Sequence, residues 1–264
     1  MARRWNTVPS SPGIQSGQDH DWFADETFWI DYAPILFGFD RWAEVPAVVE
    51  SILKLSGTKP GSDILDVCCG PGRHALEFAS RGHRVAGVDI TRPYIEAAQE
   101  SALAMDLPAE FICADARSWS RPASFDLALN LFTSFGYFET RAEDMDMLKR
   151  IHENLRPGGI LVMELLGKEL AARDFIQGEW FERDGRLILT EFSVVGAWEA
   201  LRNRWVVVDG NRRVDRSWVQ RLYSATELQD ALLKAGFASM DLFGGWAGIP
   251  YDASAERLLV LARA

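Results

Sequence analysis

The run Ile64-Leu65-Asp66-Val67-Cys68-Cys69 meets Gly70-Pro71-Gly72-Arg73-His74-Ala75, and the junction between them decides the fold. The first half is apolar apart from Asp66, as a strand buried on both faces of a parallel sheet is. The second half is a Gly-rich turn that opens a helix expected over residues 75–81 and closed by Gly82. Glycines there let a ligand approach the backbone closely. The helix N-terminus leaves N–H groups free to meet it.

Working outward, the strand–helix rhythm repeats. Strands are expected over residues 85–89, 110–114, 125–132 and 160–166. Thr91 can cap a helix with Pro93 in its first turn. Thr140 and Glu143 form a capping box for another. Pro157-Gly158-Gly159 turns the chain into the fifth strand. Repeated βα units with short links predict an α/β fold, a doubly wound parallel sheet with right-handed crossovers.

Near residue 180 the rhythm changes. Asp184-Gly185 and Asp209-Gly210 are hairpin signals, and strands are expected over residues 187–195, 197–208 and 214–223. They read as an inserted antiparallel β meander, residues 179–223. Ser224 and Glu227 then open a helix that stops at Gly236, and residues 237–243 and 257–262 supply two last strands. The main domain thus spans residues 58–178 and 224–264. Residues 21–57, dense in aromatic side chains and broken by Pro34 and Pro46, read as a helical lid segment; residues 1–20 read as a disordered lead-in.

The net charge of -10 opposes a nucleic-acid partner. Arg202, Arg204, Arg212 and Arg213 read as a solvated strand face. No apolar run is long enough to cross a membrane, and residues 1–18 lack the apolar core of a secretory signal. Cys68, Cys69 and Cys113 form neither a disulfide framework nor a metal-ligand spacing, which points to a reducing, cytoplasmic setting without a metal.

The loop's chemistry has more than one reading. Gly70 to Ala75 also fits the dinucleotide fingerprint, with Asp89 near the expected spacing. Three features favour another ligand. Asp66, just ahead of the glycines, suits an amino acid's ammonium and would repel a pyrophosphate. Asp115, ending the third strand, can accept from an adenine amino group. The closing helix–strand–strand unit is not the usual end of a nicotinamide domain. Asp89, at the tip of its strand, can accept ribose hydroxyls.

With those residues in view, residues 64–166 resemble the class I S-adenosylmethionine-dependent methyltransferases. The matching elements are the loop from Asp66 to Gly72, Asp89, Asp115-Ala116-Arg117, Phe125-Asp126 and Pro157-Gly158-Gly159. The family's first glycine is replaced by Cys68. The resemblance implies a Rossmann-like seven-stranded sheet with an antiparallel last strand and S-adenosylmethionine as cofactor. It implies that Asp66, Gly70 and Gly72 hold the methionine end, Asp89 the ribose, Asp115 and Ala116 the adenine. Asn130 and Leu131 would flank the methionine part. Cys68, Arg73, Ile90 and the lid residue Tyr32 complete the expected cofactor set.

The segment Phe132 to Phe138 follows the fourth strand, where the acceptor faces the cofactor in this family. Its Ser134-to-Phe138 pattern looks like the small-molecule subgroup, close to natural-product and amine N-methyltransferases. Tyr137 and His74 are the candidate catalytic side chains. His83 and His152 read as structural, and only one of Arg221 and Tyr223 is expected to face the pocket. The expected function is methyl transfer to a small-molecule acceptor, by a monomer or homodimer, with nitrogen favoured over oxygen. The alternatives are a protein of the same fold with other chemistry or none, a nicotinamide oxidoreductase, and a methyltransferase acting on protein or RNA, RNA being opposed by the acidic charge.

Overall fold

A computed structural model of the chain describes residues 21–264; the lead-in expected over residues 1–20 lies outside the described residues. A 3-10 turn, Trp22–Ala24, precedes three helices in the segment expected as a lid, α1 (Glu26–Leu36), α2 (Phe39–Ala43) and α3 (Val45–Ser56). The main domain then runs β1 (Asp63–Val67), α4 (Arg73–Ser80), β2 (Arg84–Asp89), α5 (Arg92–Ala104), β3 (Ala109–Cys113), β4 (Phe125–Asn130), α6 (Arg141–Asn154), β5 (Leu155–Leu165) and α7 (Lys168–Arg173). The insert is β6 (Gly178–Arg183), β7 (Arg186–Val195), β8 (Ala200–Asp209) and β9 (Arg212–Arg221). The chain closes with α8 (Ala225–Ala235), β10 (Ser239–Phe243) and β11 (Leu258–Arg263).

Seven strands form one sheet in the order β10-β11-β5-β4-β1-β2-β3. β1 to β5 are mutually parallel, and β11 runs antiparallel to β5. The chain winds outward from β1 through β2 and β3, then returns to β4 on the other side. This reversal opens a crevice above the carboxyl ends of β1 and β4, where such sheets take ligands. Both faces are covered, which is why β1 and β4 read as near-continuous apolar runs. One core packs α3, α4 and α5 through Val49, Ile52, Phe78 and Ile95; the other packs α6 and α8 through Met147, Ile151, Leu228 and Leu232. Both capping boxes form as expected, at Thr140 with Glu143 and at Ser224 with Glu227.

The insert is a four-stranded antiparallel sheet rather than three strands, because β6 adds an edge. The lid lies against it in a third core of Phe28, Tyr32, Ile35, Ile188, Val207 and Trp218. The fifth strand starts at Leu155, directly after α6, instead of after the glycines. The register shift between Phe125 and Leu127 absorbs Pro157-Gly158-Gly159 within it. Of Arg221 and Tyr223, one was expected to face the pocket; neither borders the main cavity, and both reach Asp144 on α6, at 2.8 Å and 2.7 Å.

Candidate functional site

β1 delivers Asp66 to the crevice, and the backbone then passes through three left-handed residues, Cys68 (φ 61°), Gly70 (φ 56°) and Gly72 (φ 79°). The conformation explains the glycines, and it makes Cys68 a strained substitute for one. The Gly70 N–H donates to Asp89 Oδ2 at 2.8 Å, and the Thr91 N–H donates to Asp89 Oδ1 at 2.8 Å. The tip of β2 is thereby fixed against the loop.

Asp66 is 3% exposed and its Oδ2 has no hydrogen-bond partner. Burial pushes its carboxyl up to about 7; Arg73 opposes the rise and Asp89 adds to it. A buried carboxylate without a partner is costly. A cation brought against it would remove that cost, so the residues present fit the ammonium of an amino acid.

These groups border a cavity of about 610 Å³. Its floor is Asp66, Cys68, Gly70, Asp89, Ile90, Asp115, Ala116 and Leu131 from the strand tips, with Arg73 and His74 from the start of α4. Its roof is the lid, through Trp22, Phe23, Trp29, Tyr32 and Phe37. The insert closes one side through Asn203, Trp205, Trp218 and Gln220. Arg41, Glu164, Trp246 and Arg257 border the same cavity.

Two expected cofactor residues do not border it. Asn130 is fully buried, and its Nδ2 donates to the carbonyls of Val67 and Ser134, which ties the end of β1 to the loop after β4. A Cβ on Gly72 would lie 2.8 Å from the Phe111 ring and 2.9 Å from the Ala98 Cβ, so this glycine serves the packing of α4 against β3 and α5. Tyr32 borders the cavity, but its hydroxyl donates to the Trp205 carbonyl at 2.7 Å and pins the lid to the insert.

The candidate catalytic side chains are both uncharged. Burial, with Arg73 beside it, drives the His74 imidazole down to about 3. Enclosure raises the Tyr137 phenol above its ordinary value, and its ring meets Trp22 edge-on at 4.8 Å. His83 is buried against Phe78, and His152 packs on Phe237. Tyr251 lies outside the cavity lining and donates to Glu169.

The structure adds Glu164 and Arg41, which sequence reasoning passed over, and shows how they meet residues it had named. Phe132 and Thr133, both at φ 58°, make a strained turn after β4. Glu164 Oε2 accepts from the Phe132 N–H at 2.7 Å, and burial raises its carboxyl. Glu164 interrupts an apolar strand just as Asp66 does, and that was the available signal. Arg73 lies 4.5 Å above the Phe132 ring, and its Nη1 donates to the Arg41 carbonyl at 2.7 Å. Arg117 grips Asp115 with bonds as short as 2.6 Å. Burial raises the Asp115 carboxyl, but the bonds from Arg117 outweigh it and hold the group below its ordinary range.

A seven-stranded sheet with β11 reversed and an acidic crevice at its switch point define an adenosyl-binding α/β enzyme class. The profile of the methyltransferase-domain family matches residues 64–159. The dTDP-3-amino-3,4,6-trideoxy-alpha-D-glucopyranose N,N-dimethyltransferase of Streptomyces venezuelae is 27% identical over 230 residues, covering 83% of this chain and 95% of its own. Among solved structures, an S-adenosylmethionine-dependent methyltransferase from Clostridium acetobutylicum superposes with a TM-score of 0.75 at 16% identity, covering 90% of this chain and 97% of its own. The sugar N-methyltransferase KedS8 from Streptoalloteichus gives a TM-score of 0.67 at 20% identity over 98% of this chain and 99% of its own. The chain carries a class I S-adenosylmethionine-dependent methyltransferase domain and is an enzyme of that class.

Proposed function

We propose that this enzyme methylates an amine on a small-molecule acceptor held inside the cavity between the sheet, the lid and the insert. The observation that carries the reading is the unpartnered Asp66 Oδ2 on the floor of a cavity to which many aromatic side chains contribute. Two similar proteins, an amino-sugar N,N-dimethyltransferase and a sugar N-methyltransferase, support nitrogen over oxygen.

In this reading Asp66 takes the ammonium of the methionine end, and Arg73 with Arg41 faces its carboxylate. Asp89 accepts from the ribose and keeps its bonds to Gly70 and Thr91, since each carboxylate oxygen has a second lone pair. Asp115 and Ala116 border the adenine, and Cys68, Ile90 and Leu131 supply the walls. When bound, S-adenosylmethionine supplies a methyl group on a sulfonium, open to displacement by a lone pair. The protein orients the acceptor and excludes water.

His74, neutral and pushed down to about 3, is a weak base at working pH. Tyr137 acts as a neutral phenol that orients the acceptor against Trp22. Glu164 borders the cavity, is raised by burial, and is the carboxylate assigned to receive the proton that an amine sheds after attack.

The test is incubation with the methyl donor and matched panels of small amines and alcohols, read by mass spectrometry. The reading predicts methylated amine and S-adenosylhomocysteine in equal amounts. Methylation confined to alcohols, or consumption of an acceptor with no S-adenosylhomocysteine formed, would contradict it.

A further inference from the structure

Arg117 joins three parts of the site. Its backbone N–H donates to Asp115 Oδ1 at 2.8 Å, its Nε to Asp115 Oδ2 at 3.0 Å, and its Nη2 to Oδ2 at 2.6 Å. Its Nη1 donates to Glu143 Oε1 at 2.6 Å, the carboxylate that also closes the capping box of α6. The guanidinium carbon lies over two rings, Phe138 with its centroid at 4.7 Å and Phe23 at 5.4 Å. Those rings meet edge-on at 5.1 Å. Phe23 belongs to the lid, Phe138 follows the strained turn after β4, and both border the cavity with Asp115.

A guanidinium gripped at two points has a fixed plane, and so a fixed direction for the face on which a ring can rest. The side chain is 26% exposed, so the stacking is partly shielded from water. The seat of Phe23 therefore depends on how the Asp115 carboxylate is oriented.

We propose that Arg117 is a positioning residue that couples occupancy of the adenine end of the cavity to closure of the aromatic lid. The proposal rests on the reading of Asp115 as the adenine contact. A donor from the ligand fixes the Asp115 carboxylate, which fixes the Arg117 plane, which seats Phe23 over the cavity. Coupling is reciprocal, so a seated Phe23 tightens the ligand by the same factor. Lysine would keep the charge and lose both the fork and the flat face.

The test uses S-adenosylhomocysteine as the probe, with affinity from calorimetry and backbone hydrogen–deuterium exchange over residues 22–29. In the wild type, saturating probe slows exchange across this segment. Arg117→Gln binds about tenfold more weakly, the loss expected for a charged hydrogen-bonding partner, and shows no slowing even at saturation. Arg117→Lys keeps a charge beside Asp115 but shows no slowing and stays as weak a binder as Phe23→Ala, a match that a merely structural role would not produce. Phe23→Ala leaves the Arg117–Asp115 pair in place and stands in should Arg117→Gln fail to fold; it too loses the coupled affinity. The double variant binds no more weakly than the weaker single one. Wild-type slowing in Arg117→Gln, or losses that multiply independently in the double variant, would overturn the coupling alone. An unchanged affinity in Asp115→Asn would overturn the adenine reading, and the proposal with it.

Discussion

Arg221 Nε donates to Asp144 Oδ2 across 2.8 Å, and this pair ties the last strand of the insert to α6 of the main domain. Tyr223 donates to the same oxygen at 2.7 Å. Asp144 is 1% exposed, so it depends on both partners. The Arg221 backbone also holds Gly136, whose Cβ would lie 2.4 Å from the Arg221 carbonyl. The insert and the loop carrying Tyr137 are thus set by one clasp. Arg221→Ala leaves a buried carboxylate short of its countercharge and is expected to destabilise the fold by about 3 kcal/mol. Tyr223→Phe removes one hydrogen bond and is expected to cost about 1 kcal/mol. Urea denaturation measures both; equal, small losses would show that the pair bears no load.

Asp66 predicts a pH-dependent affinity. Its ordinary value of 3.8 rises to about 7 in the folded protein, so between these values the native state holds a proton that the unfolded chain has lost. That contribution to stability is complete below the unfolded value and disappears as pH rises through the folded one. An ammonium placed against the carboxylate expels the proton. Affinity for S-adenosylhomocysteine should therefore climb up to about pH 7 and level off, with close to one proton released per ligand at pH 6. Calorimetry in buffers of different ionisation heat reads the proton directly. Asp66→Asn should bind more weakly and show no release.

His74 carries the opposite sign. Its ordinary value of 6.5 falls to about 3, so the unfolded chain takes up a proton that the native imidazole refuses. The stability this provides is full above about pH 6.5 and is lost as pH falls toward 3. His74→Gln should resist acid better than the wild type. Its kcat should stay within about tenfold, with an unchanged pH profile, because so weak a base contributes little. Loss of the acidic limb of the profile in that variant would show that the imidazole does take a proton.

The two loop glycines should fail differently. Gly72→Ala meets the Phe111 ring at 2.8 Å in a left-handed backbone and should destabilise the fold by about 2 kcal/mol or more. Gly70→Ala meets only the Phe37 ring, at 3.3 Å, and should weaken ligand binding more than stability. Thermal melts and probe titrations on both variants separate the roles; a Gly72→Ala protein as stable as wild type would refute the packing assignment.

What could be read from the chain follows from where the information lies. β1 and β4 are apolar because both their faces are covered, and the capping boxes are local, so these elements were legible. β6 was not, since Glu179, Trp180 and Glu182 on this edge strand do not alternate into a core. α7 has Gly167 as its N-cap, without a side-chain cap bond, and left no signal. Asp66, Gly70, Asp89 and Asp115, which border the cavity, were legible because glycines and strand tips mark them. Gly72 and Asn130, also expected at the ligand, do not border the cavity, because sequence gives nearness to the crevice and not the direction a residue faces. Arg41 comes within reach of Arg73 from 32 residues away, which only the folded lid reveals.

The most direct test of the account is titration of S-adenosylhomocysteine and NAD, side by side, into wild-type protein and the Asp89→Ala variant. The account predicts that the wild type binds the first and not the second, and that Asp89→Ala loses about tenfold or more in affinity through its missing ribose contact. Binding of NAD in place of S-adenosylhomocysteine, or undiminished affinity in Asp89→Ala, would contradict it.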